Sequence, residues 1–248
     1  MSSPPLQHAF GAPLARDGWL VRPARPDELE ALRALRGLAF RGGAPDGDSH
    51  DADCLHLWVA REGGPPLATI RARLHAEGPL DTGYSARLFD LAPLAHAPGP
   101  SLELGRLCVH PSHPQPDLPR LIWAGVTRLV EGSGAARLMG CSSLPGNDPL
   151  RYRAALAALA ARHLGPAGHR PGPRAAETFA FDSLADGNGA PGDLAVLPPL
   201  LRAYLAMGGW VGDHLVIDRD LGTCILFTCV EIASMPESRK RVFRALAG

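Results

Sequence analysis

Two charged side chains stand in the middle of a segment that otherwise has the composition of a buried β-strand. The segment runs from Ser101 to Val109, and Glu103 and Arg106 interrupt its apolar residues. Because a buried charge is costly unless it is paired or hydrogen-bonded, both side chains need a specific reason to be there. A carboxylate held in such a place is a candidate proton acceptor. A structural ion pair is the alternative, and the residues alone favour neither interpretation.

The backbone between these two residues decides whether they can act together. In a regular strand, residues three apart point to opposite faces of the sheet. Gly105 lies between them and is a suitable position for a β-bulge, because glycine inside a strand often marks one. We therefore predict a bulge at Gly105 that turns both side chains toward one cleft, with Arg106 as the partner that orients Glu103.

The chain after this strand predicts a helix and a second strand. Asp117 is a suitable N-cap and Pro119 is tolerated in the first helical turn. Apolar residues then recur at the helical period until the Gly-Ser-Gly run at 132–134, and an apolar strand over 136–143 follows. A strand, a helix and a strand in this order predict a βαβ unit whose two strands are parallel neighbours.

Hydrophobic periodicity and turn residues predict the remaining elements. The expected strands cover about 19–22, 54–62, 67–75, 175–181, 215–217 and 224–232. Further helices are expected from residue 26 to about 40 and over 148–162, 200–207 and 236–246, with glycine- and proline-rich connectors at 164–173 and 186–193. The last helix is basic, which is typical of a solvated face; a surface for anionic lipid or for an acidic carrier protein is the alternative.

Composition limits the class of protein. The 248 residues include 25 basic and 25 acidic side chains, so we expect no binding of nucleic acid. There is no run of 18 apolar residues that would indicate a membrane span, and residues 1–12 lack the features of a secretory signal. Five cysteines without metal-site spacing indicate reduced thiols in a cytoplasmic protein. We expect one α/β domain over 1–248, with a loose N-terminal segment at 1–17 and no bound metal.

Three motifs and a longer C-terminal block resemble a known family. The motifs are Glu-Leu-Gly-Arg at 103–106, Cys-Val-His-Pro at 108–111 and Gly-Cys-Ser-Ser-Leu-Pro-Gly-Asn-Asp-Pro at 140–149, and the block is 197–232. Together they resemble the L-ornithine N-alpha-acyltransferases of the GCN5-related N-acyltransferase superfamily, to which the acyl-homoserine lactone synthases are related. The resemblance implies a mixed, mostly antiparallel central sheet flanked by helices, with a C-terminal hairpin extension.

The resemblance also implies a reaction, in which a 3-hydroxyacyl group passes from acyl carrier protein to the α-amine of ornithine and forms lyso-ornithine lipid. An ammonium group cannot attack a carbonyl carbon, so a base must first take its proton, and Glu103 is the candidate. Backbone N–H groups near Cys108 and Val109 are expected to stabilise the oxyanion. The other expected site residues are Arg36, Phe40 and Arg71 for the donor, and Asp48, Asp51 and Asp213 for the acceptor.

Several of these residues also have a plain structural interpretation. The acidic loop at 42–53 is typical of a solvated loop, and its spacing does not fit an EF-hand. A turn-capping aspartate is common in the position of Asp213. A catalytic thiol at Cys108 or Cys141 is a further alternative. Gly37 departs from the family pattern, which commonly has Tyr there, and glycine in a helix interior costs roughly 1 kcal/mol relative to alanine.

The turn before the predicted helix bears on the acyl donor. Coenzyme A-dependent members of the superfamily have a glycine-rich loop here, whose backbone N–H groups bind a pyrophosphate. Residues 110–118 contain three prolines and no glycine, and proline has no N–H to donate. We therefore expect no separate cofactor, only the phosphopantetheine arm that acyl carrier protein brings.

Two functional alternatives stay open. One is the same chemistry on another amino acid such as glutamine, and the other is a non-catalytic protein that binds acyl carrier protein. The expected location is cytoplasmic, and peripheral contact with the inner face of an anionic membrane is an open question.

Overall fold

A computed structural model describes residues 6–184 and 191–248. The helices are α1 (Leu6–Phe10), α2 (Leu29–Phe40), α3 (Ser85–Leu88), α4 (Leu118–Ser133), α5 (Arg153–Arg162), α6 (Pro199–Ala206) and α7 (Glu237–Ala247). The strands are β1 (Leu14–Arg16), β2 (Trp19–Pro23), β3 (Leu55–Arg61), β4 (Pro66–His75), β5 (Phe89–Asp90), β6 (Ser101–Val109), β7 (Arg137–Pro145), β8 (Gly172–Pro173), β9 (Thr178–Ala180), β10 (Trp210–Asp218) and β11 (Thr223–Glu231). Most of the connector predicted at 186–193 lies outside the described residues.

The described residues form two compact units, and the first comprises residues 6–76, 102–136 and 237–248. Its strands follow the order β1-β2-β3-β4-β6, and the pairs from β1 to β4 are antiparallel. Strand β3 is buried along its whole length except for its last residue, which explains its nearly continuous apolar sequence. Helices α2 and α4 contact β4 of this sheet, and α1 and α7 pack on α4.

The second unit comprises residues 77–101, 137–184 and 191–236. Its strands follow the order β7-β11-β10-β9, all antiparallel, and β5 pairs with β8 in a separate two-stranded ribbon. Arg137 is buried at the start of β7, where its guanidinium donates to the carbonyl oxygens of Pro98 and Gly99, to Ser101 Oγ and to Glu231. These partners explain how an arginine is accommodated in a largely apolar interior.

Helix α4 follows its sequence signals closely. It begins directly after Asp117, with proline in its first turn, and ends at Gly134, whose φ of 66° is the left-handed conformation that glycine favours. The Asp117 side chain makes no capping hydrogen bond in the structure. The position of the helix start was therefore predictable, whereas the way in which its N–H groups are satisfied was not.

The N-terminal segment is more ordered than the sequence suggests. Of the segment 1–17 that we expected to be loose, residues 6–17 form α1 and β1 and the connection after them. Phe10 is buried beside Gly125 of α4, and a Cβ at Gly132 would lie 2.0 Å from the Ala9 carbonyl oxygen. Two glycines on α4 thus allow α1 to approach closely, and a five-residue helix is too short to show periodicity in sequence.

None of the helices in residues 6–184 and 191–248 combines the length and the apolar content that crossing a bilayer requires.

Candidate active site

Glu103 forms a buried pair with a histidine. Its Oε2 lies 2.9 Å from Nε2 of His75, the last residue of β4, which neighbours β6 in the sheet. Glu103 is 7% exposed and His75 is 6% exposed. A hydrogen bond to an ionised carboxylate is stronger than one between neutral groups, so the imidazole is well placed to fix the orientation of this carboxylate.

Arg106 has an unusual backbone conformation. Its φ is 51°, and Asp17 is the other non-glycine residue with positive φ in the described part of the chain. Such a conformation costs about 1–3 kcal/mol in a residue other than glycine. The irregularity that we predicted at Gly105 is thus found one residue later, since Gly105 is not among the glycines with positive φ.

This conformation accompanies contacts between Arg106 and the acidic loop. Its Nε donates to Asp46 Oδ2 at 2.9 Å, and its Nη2 lies 3.4 Å from Asp48 Oδ2. Arg106 therefore contacts two carboxylates of the acidic loop. The imidazole of His75 is the group that lies beside Glu103 Oε2. The local strain at Arg106 is offset by charge-assisted hydrogen bonds, which are the stronger kind.

Arg36 and Asp51 form the centre of a second, denser arrangement. Both are buried, and the guanidinium of Arg36 contacts both carboxylate oxygens of Asp51, at 2.9 and 2.6 Å. Asp51 also accepts from Arg71 at 2.8 Å and from Arg33 at 3.1 Å. Burial acts to raise the pKa of Asp51, but the hydrogen bonds from Arg36 and Arg71 outweigh it and hold that pKa well below its usual range.

The other two carboxylates of the loop extend this network. Asp48 accepts from Arg71 at 2.6 Å, and Asp46 accepts from Arg41 at 2.8 Å. The Asp48 side chain is 16% exposed, more than the other two. Burial acts to raise the pKa of Asp48, and the hydrogen bond from Arg71 reverses that effect and lowers the pKa. We call the set Arg36, Arg71, Arg106, Asp46, Asp48 and Asp51 the Arg-Asp network.

The network unites residues that the sequence assigned to different substrates. Arg36 and Arg71 were expected on the donor side, and Asp48 and Asp51 on the acceptor side, yet all four belong to one set of hydrogen bonds. Phe40, the third expected donor residue, is the last residue of α2 and is 39% exposed. The geometry shows which of these side chains lie together, and their contacts with substrates stay predictions.

Gly37 has a steric role in building this network. A Cβ at this position would lie 2.2 Å from the carbonyl oxygen of Ala44, and the N–H groups of Arg41 and Gly43 both donate to the Gly37 carbonyl. The departure from the family pattern therefore lets the loop pack directly against α2. This close packing brings the Asp46 carbonyl to the guanidinium of Arg36, whose Nε donates to it at 3.0 Å.

Cys108 and Val109 are the last two residues of β6. Burial raises the pKa of the Cys108 thiol to about 12, so the thiol stays protonated near neutral pH. Because the thiolate is the nucleophilic form, the alternative of a catalytic thiol at Cys108 is unfavourable. The expected contribution of the backbone N–H groups here stays a prediction.

Asp213 belongs to the second compact unit. It lies where the register of β10 on β11 shifts, between Val211 and Leu215, and its Oδ1 is 2.9 Å from Nδ1 of the buried His214. Its Oδ2 is 3.6 Å from Arg170. The aspartate is half-exposed, and both partners are compatible with a structural role.

The sequence interpretation missed His75 as a partner of Glu103. A signal was available, because His75 is four residues after Arg71 in β4, and residues separated by even numbers share one face of a strand. It also left Arg33 and Arg41 out of the expected site. His56 is a further buried neighbour, with Nε2 3.1 Å from the Asp51 carbonyl oxygen, and burial lowers its pKa.

No group of three or more His, Cys, Asp or Glu side chains within residues 6–184 and 191–248 is arranged to hold a metal ion.

Comparison with known proteins identifies the family. A family model described as an acetyltransferase (GNAT) domain matches residues 37–124. The L-ornithine N(alpha)-acyltransferase of Rhizobium meliloti (strain 1021) is 30% identical, and the match covers 89% of this chain and 82% of the relative. That of Rhodobacter capsulatus is 32% identical over 164 residues, which is 64% of this chain and 61% of the relative.

Among solved structures, FeeM, an N-acyl amino acid synthase from uncultured soil microbes, aligns with a TM-score of 0.49 at 10% identity, over 87% of this chain and 92% of that chain. With its mixed, mostly antiparallel strands flanked by helices, the chain has a GNAT fold and belongs to the family of L-ornithine N(alpha)-acyltransferases.

Proposed function

We propose that this protein transfers a 3-hydroxyacyl group from acyl carrier protein to the α-amine of ornithine, which is the first step of ornithine lipid synthesis. The observation that carries the proposal is the buried pair of Glu103 and His75, with 2.9 Å between Oε2 and Nε2. It supplies one positioned carboxylate on β6, the strand where the family motif begins. The names of the curated relatives support ornithine as the acceptor.

Glu103 acts as the general base in this mechanism. It takes a proton from the α-ammonium group, and the resulting amine attacks the thioester carbonyl carbon, so that a C–N bond begins to form. The tetrahedral oxyanion accepts hydrogen bonds from backbone N–H groups near Cys108 and Val109. Collapse breaks the C–S bond; the departing thiolate takes up a proton and the nitrogen loses its second one, which leaves an amide and a thiol. His75 holds the Glu103 carboxylate in place throughout.

The turn between β6 and α4 supports a carrier-borne donor over coenzyme A. Four prolines between residues 111 and 119 remove backbone N–H donors. The remaining donors are partly engaged within the turn. Ser112 N–H donates to His110 Nδ1 at 3.2 Å, His113 N–H to the His110 carbonyl at 3.1 Å, and Leu118 N–H to the Gln115 carbonyl at 3.1 Å. Few backbone N–H groups of this turn are therefore left to bind the pyrophosphate of coenzyme A. A phosphopantetheine arm attached to a protein has no pyrophosphate and does not need these donors.

The Arg-Asp network supports a division of roles between its carboxylates. Asp51 is engaged by Arg33, Arg36 and Arg71, so its role in the proposal is to hold the loop and the helix together. Asp48 is more exposed, and one of its contacts, with Arg106, is long at 3.4 Å. We assign the contact with the δ-ammonium of ornithine to Asp48, because a partly exposed carboxylate can exchange a weak partner for a substrate cation.

The test is an assay with defined substrates. The purified chain is incubated with 3-hydroxyacyl-acyl carrier protein and a panel of ornithine, lysine, glutamine and glycine, and products are identified by mass spectrometry. A parallel series contains the same acyl group on coenzyme A. We expect N-acylornithine from the carrier-borne donor and much less product from coenzyme A.

Each part of the proposal has its own contrary result. Equal rates with coenzyme A would contradict the assigned donor. Preferential acylation of glutamine would replace the acceptor. Tight binding of acyl carrier protein without any product would support the non-catalytic alternative.

A further inference from the structure

Helix α7 carries basic and apolar side chains on its outer face. Arg239 and Arg241 are exposed, and no carboxylate in the described part of the chain forms a salt bridge with either. Val242, which adjoins both on the helix surface, is 53% exposed. The other two basic residues have acidic partners, since Lys240 lies 2.8 Å from Glu237 and Arg244 lies 3.2 Å from Glu131. The exposed part of the helix therefore combines two arginines that form no salt bridge within the described residues, one of which interacts with Glu237 through its charge, with an exposed aliphatic side chain.

The inner face of α7 is fixed on α4. The ring of Phe243 packs on Trp123, with 5.6 Å between their centroids. Arg128 of α4 donates from Nε to the carbonyl oxygen of Ala247 at 2.8 Å, and from Nη1 to that of Ala12 at 2.6 Å. Because these contacts occupy the inner side of the helix, Arg241 and Val242 lie on its outer side, and Arg239, one turn before Phe243, lies at the edge between the two sides.

We propose that this outer face adsorbs to anionic lipid bilayers. Helix α7 has four basic side chains and one acidic side chain, in a chain whose 25 basic and 25 acidic side chains balance overall. An aliphatic residue flanked by arginines fits a bilayer surface, because the valine enters the headgroup region while the long arginine side chains reach the phosphates. The inference does not depend on the acyltransferase reaction.

The test measures binding of the full chain to vesicles. Phosphatidylcholine vesicles with and without phosphatidylglycerol are compared in a flotation assay at low and at physiological salt. We expect binding only when phosphatidylglycerol is present, and weaker binding as salt rises. The double substitution Arg239→Gln/Arg241→Gln should lower the partition coefficient roughly 10- to 30-fold, since each basic residue near an anionic surface contributes about one kcal/mol. Val242→Ser should lower it by a smaller factor.

The matched control is Arg153→Gln/Arg202→Gln, which removes the same charge from exposed positions on α5 and α6. It should bind vesicles nearly as the unchanged chain does. Equal losses in the two double variants, or no binding of the unchanged chain to phosphatidylglycerol, would overturn the proposal. So would an Arg239/Arg241-dependent association with acyl carrier protein in the absence of any vesicle binding. Acylation measured with soluble substrates stays unchanged in all these variants, which separates this test from that of the proposed function.

Discussion

The Glu103–His75 pair and the Arg-Asp network are two buried polar regions of the same compact unit. They differ in the kind of side chain that faces the carboxylate. In the network, Asp51 is engaged by three arginines, and Arg36 contacts both of its carboxylate oxygens. In the pair, Oε2 of Glu103 lies 2.9 Å from Nε2 of the His75 imidazole. An imidazole nitrogen makes one hydrogen bond, whereas a guanidinium presents five N–H donors.

This difference separates a structural role from a chemical one. The Asp51 carboxylate is held ionised by permanent positive charges, so it is a poor proton acceptor and a good anchor. Glu103 has a buried partner in His75 that can orient its carboxylate. Substitutions in the two regions should therefore have different effects. A substitution in the network should lower the free energy of unfolding, and a substitution in the pair should lower kcat.

The largest effect is expected from Asp51→Asn. The substitution removes the carboxylate charge between the Arg33, Arg36 and Arg71 guanidiniums and leaves the buried Arg36 with Asp46, 3.5 Å from its Nε, as its carboxylate partner. Breaking a buried pair in this way typically costs about 3–5 kcal/mol of the free energy of unfolding. Denaturant unfolding followed by circular dichroism measures this loss. The control is Asp53→Asn, two residues away, because Asp53 is 63% exposed in its pair with Arg73 and should contribute less than about 1 kcal/mol. Similar losses in both variants would show that the network is not the anchor.

Lowering the pH should reduce the free energy of unfolding of the unchanged chain, for part of the same reason as Asp51→Asn does. The pKa values of Asp48 and Asp51 are lowered in the folded state. The stability that they contribute is therefore fully present above the pKa of an unfolded aspartate, about 3.9, and declines as the pH falls below it. Denaturation midpoints measured from neutral pH down to acid should decline less steeply for Asp51→Asn. Parallel curves for the two proteins would contradict this assignment.

The next effect concerns turnover. Glu103→Gln keeps the shape of the side chain but removes the proton acceptor, and kcat should decline about 10²-fold or more with little change in the unfolding midpoint. The control is Glu28→Gln, because Glu28 is equally buried at 8% exposure but pairs with Arg22 and Arg25. That variant should lose stability and keep its kcat below its unfolding temperature. If Glu103→Gln retains full turnover while folded, Glu103 is not the base.

Gly37→Ala tests whether helix propensity or close packing against the loop determines the effect of this residue on stability. The two explanations predict changes of opposite sign. Helix propensity alone predicts that alanine stabilises α2 by roughly 1 kcal/mol. The structure predicts a loss of about 1–3 kcal/mol, typical of overpacking, because the new Cβ would lie 2.2 Å from the Ala44 carbonyl oxygen. Thermal unfolding measures the change, and Ala39→Gly, at an exposed position of the same helix, gives the propensity effect by itself. A gain in stability would mean that the loop does not require Gly37.

The elements of the fold follow from local sequence more readily than the site does. The hairpin of β3 and β4, the start of α4 after Asp117 and its end at Gly134 all carry signals within a few residues. Strand β9 proved shorter than predicted, at three residues instead of about seven, and β10 begins earlier than predicted, at Trp210. Such ends depend on pairing with neighbouring strands, which local composition does not encode.

The site depends on contacts between distant parts of the chain. Glu103 was identifiable because a carboxylate inside an apolar strand is conspicuous. Its partner is 28 residues away, and only the pairing of two strands brings them together. Similarly, Arg106 contacts Asp46 across 60 residues through a left-handed backbone that its residue type does not favour. The resemblance to the family includes the members of the network, but only the structure shows that they belong to one set of hydrogen bonds.

The smallest effect tests whether His75 positions Glu103. The contact uses Nε2, and the amide nitrogen of glutamine can take a similar place, whereas leucine offers no donor. We expect His75→Leu to lower kcat about tenfold, in line with the loss of one hydrogen bond to a charged group, and His75→Gln to recover part of that loss. Because a donor favours the ionised form of a carboxylate, the acid limb of the pH–rate profile should also move to higher pH in His75→Leu and return toward its original position in His75→Gln. A purely structural histidine would lower kcat equally at every pH, so an unmoved acid limb would assign His75 to packing and leave Glu103 to be oriented by other groups.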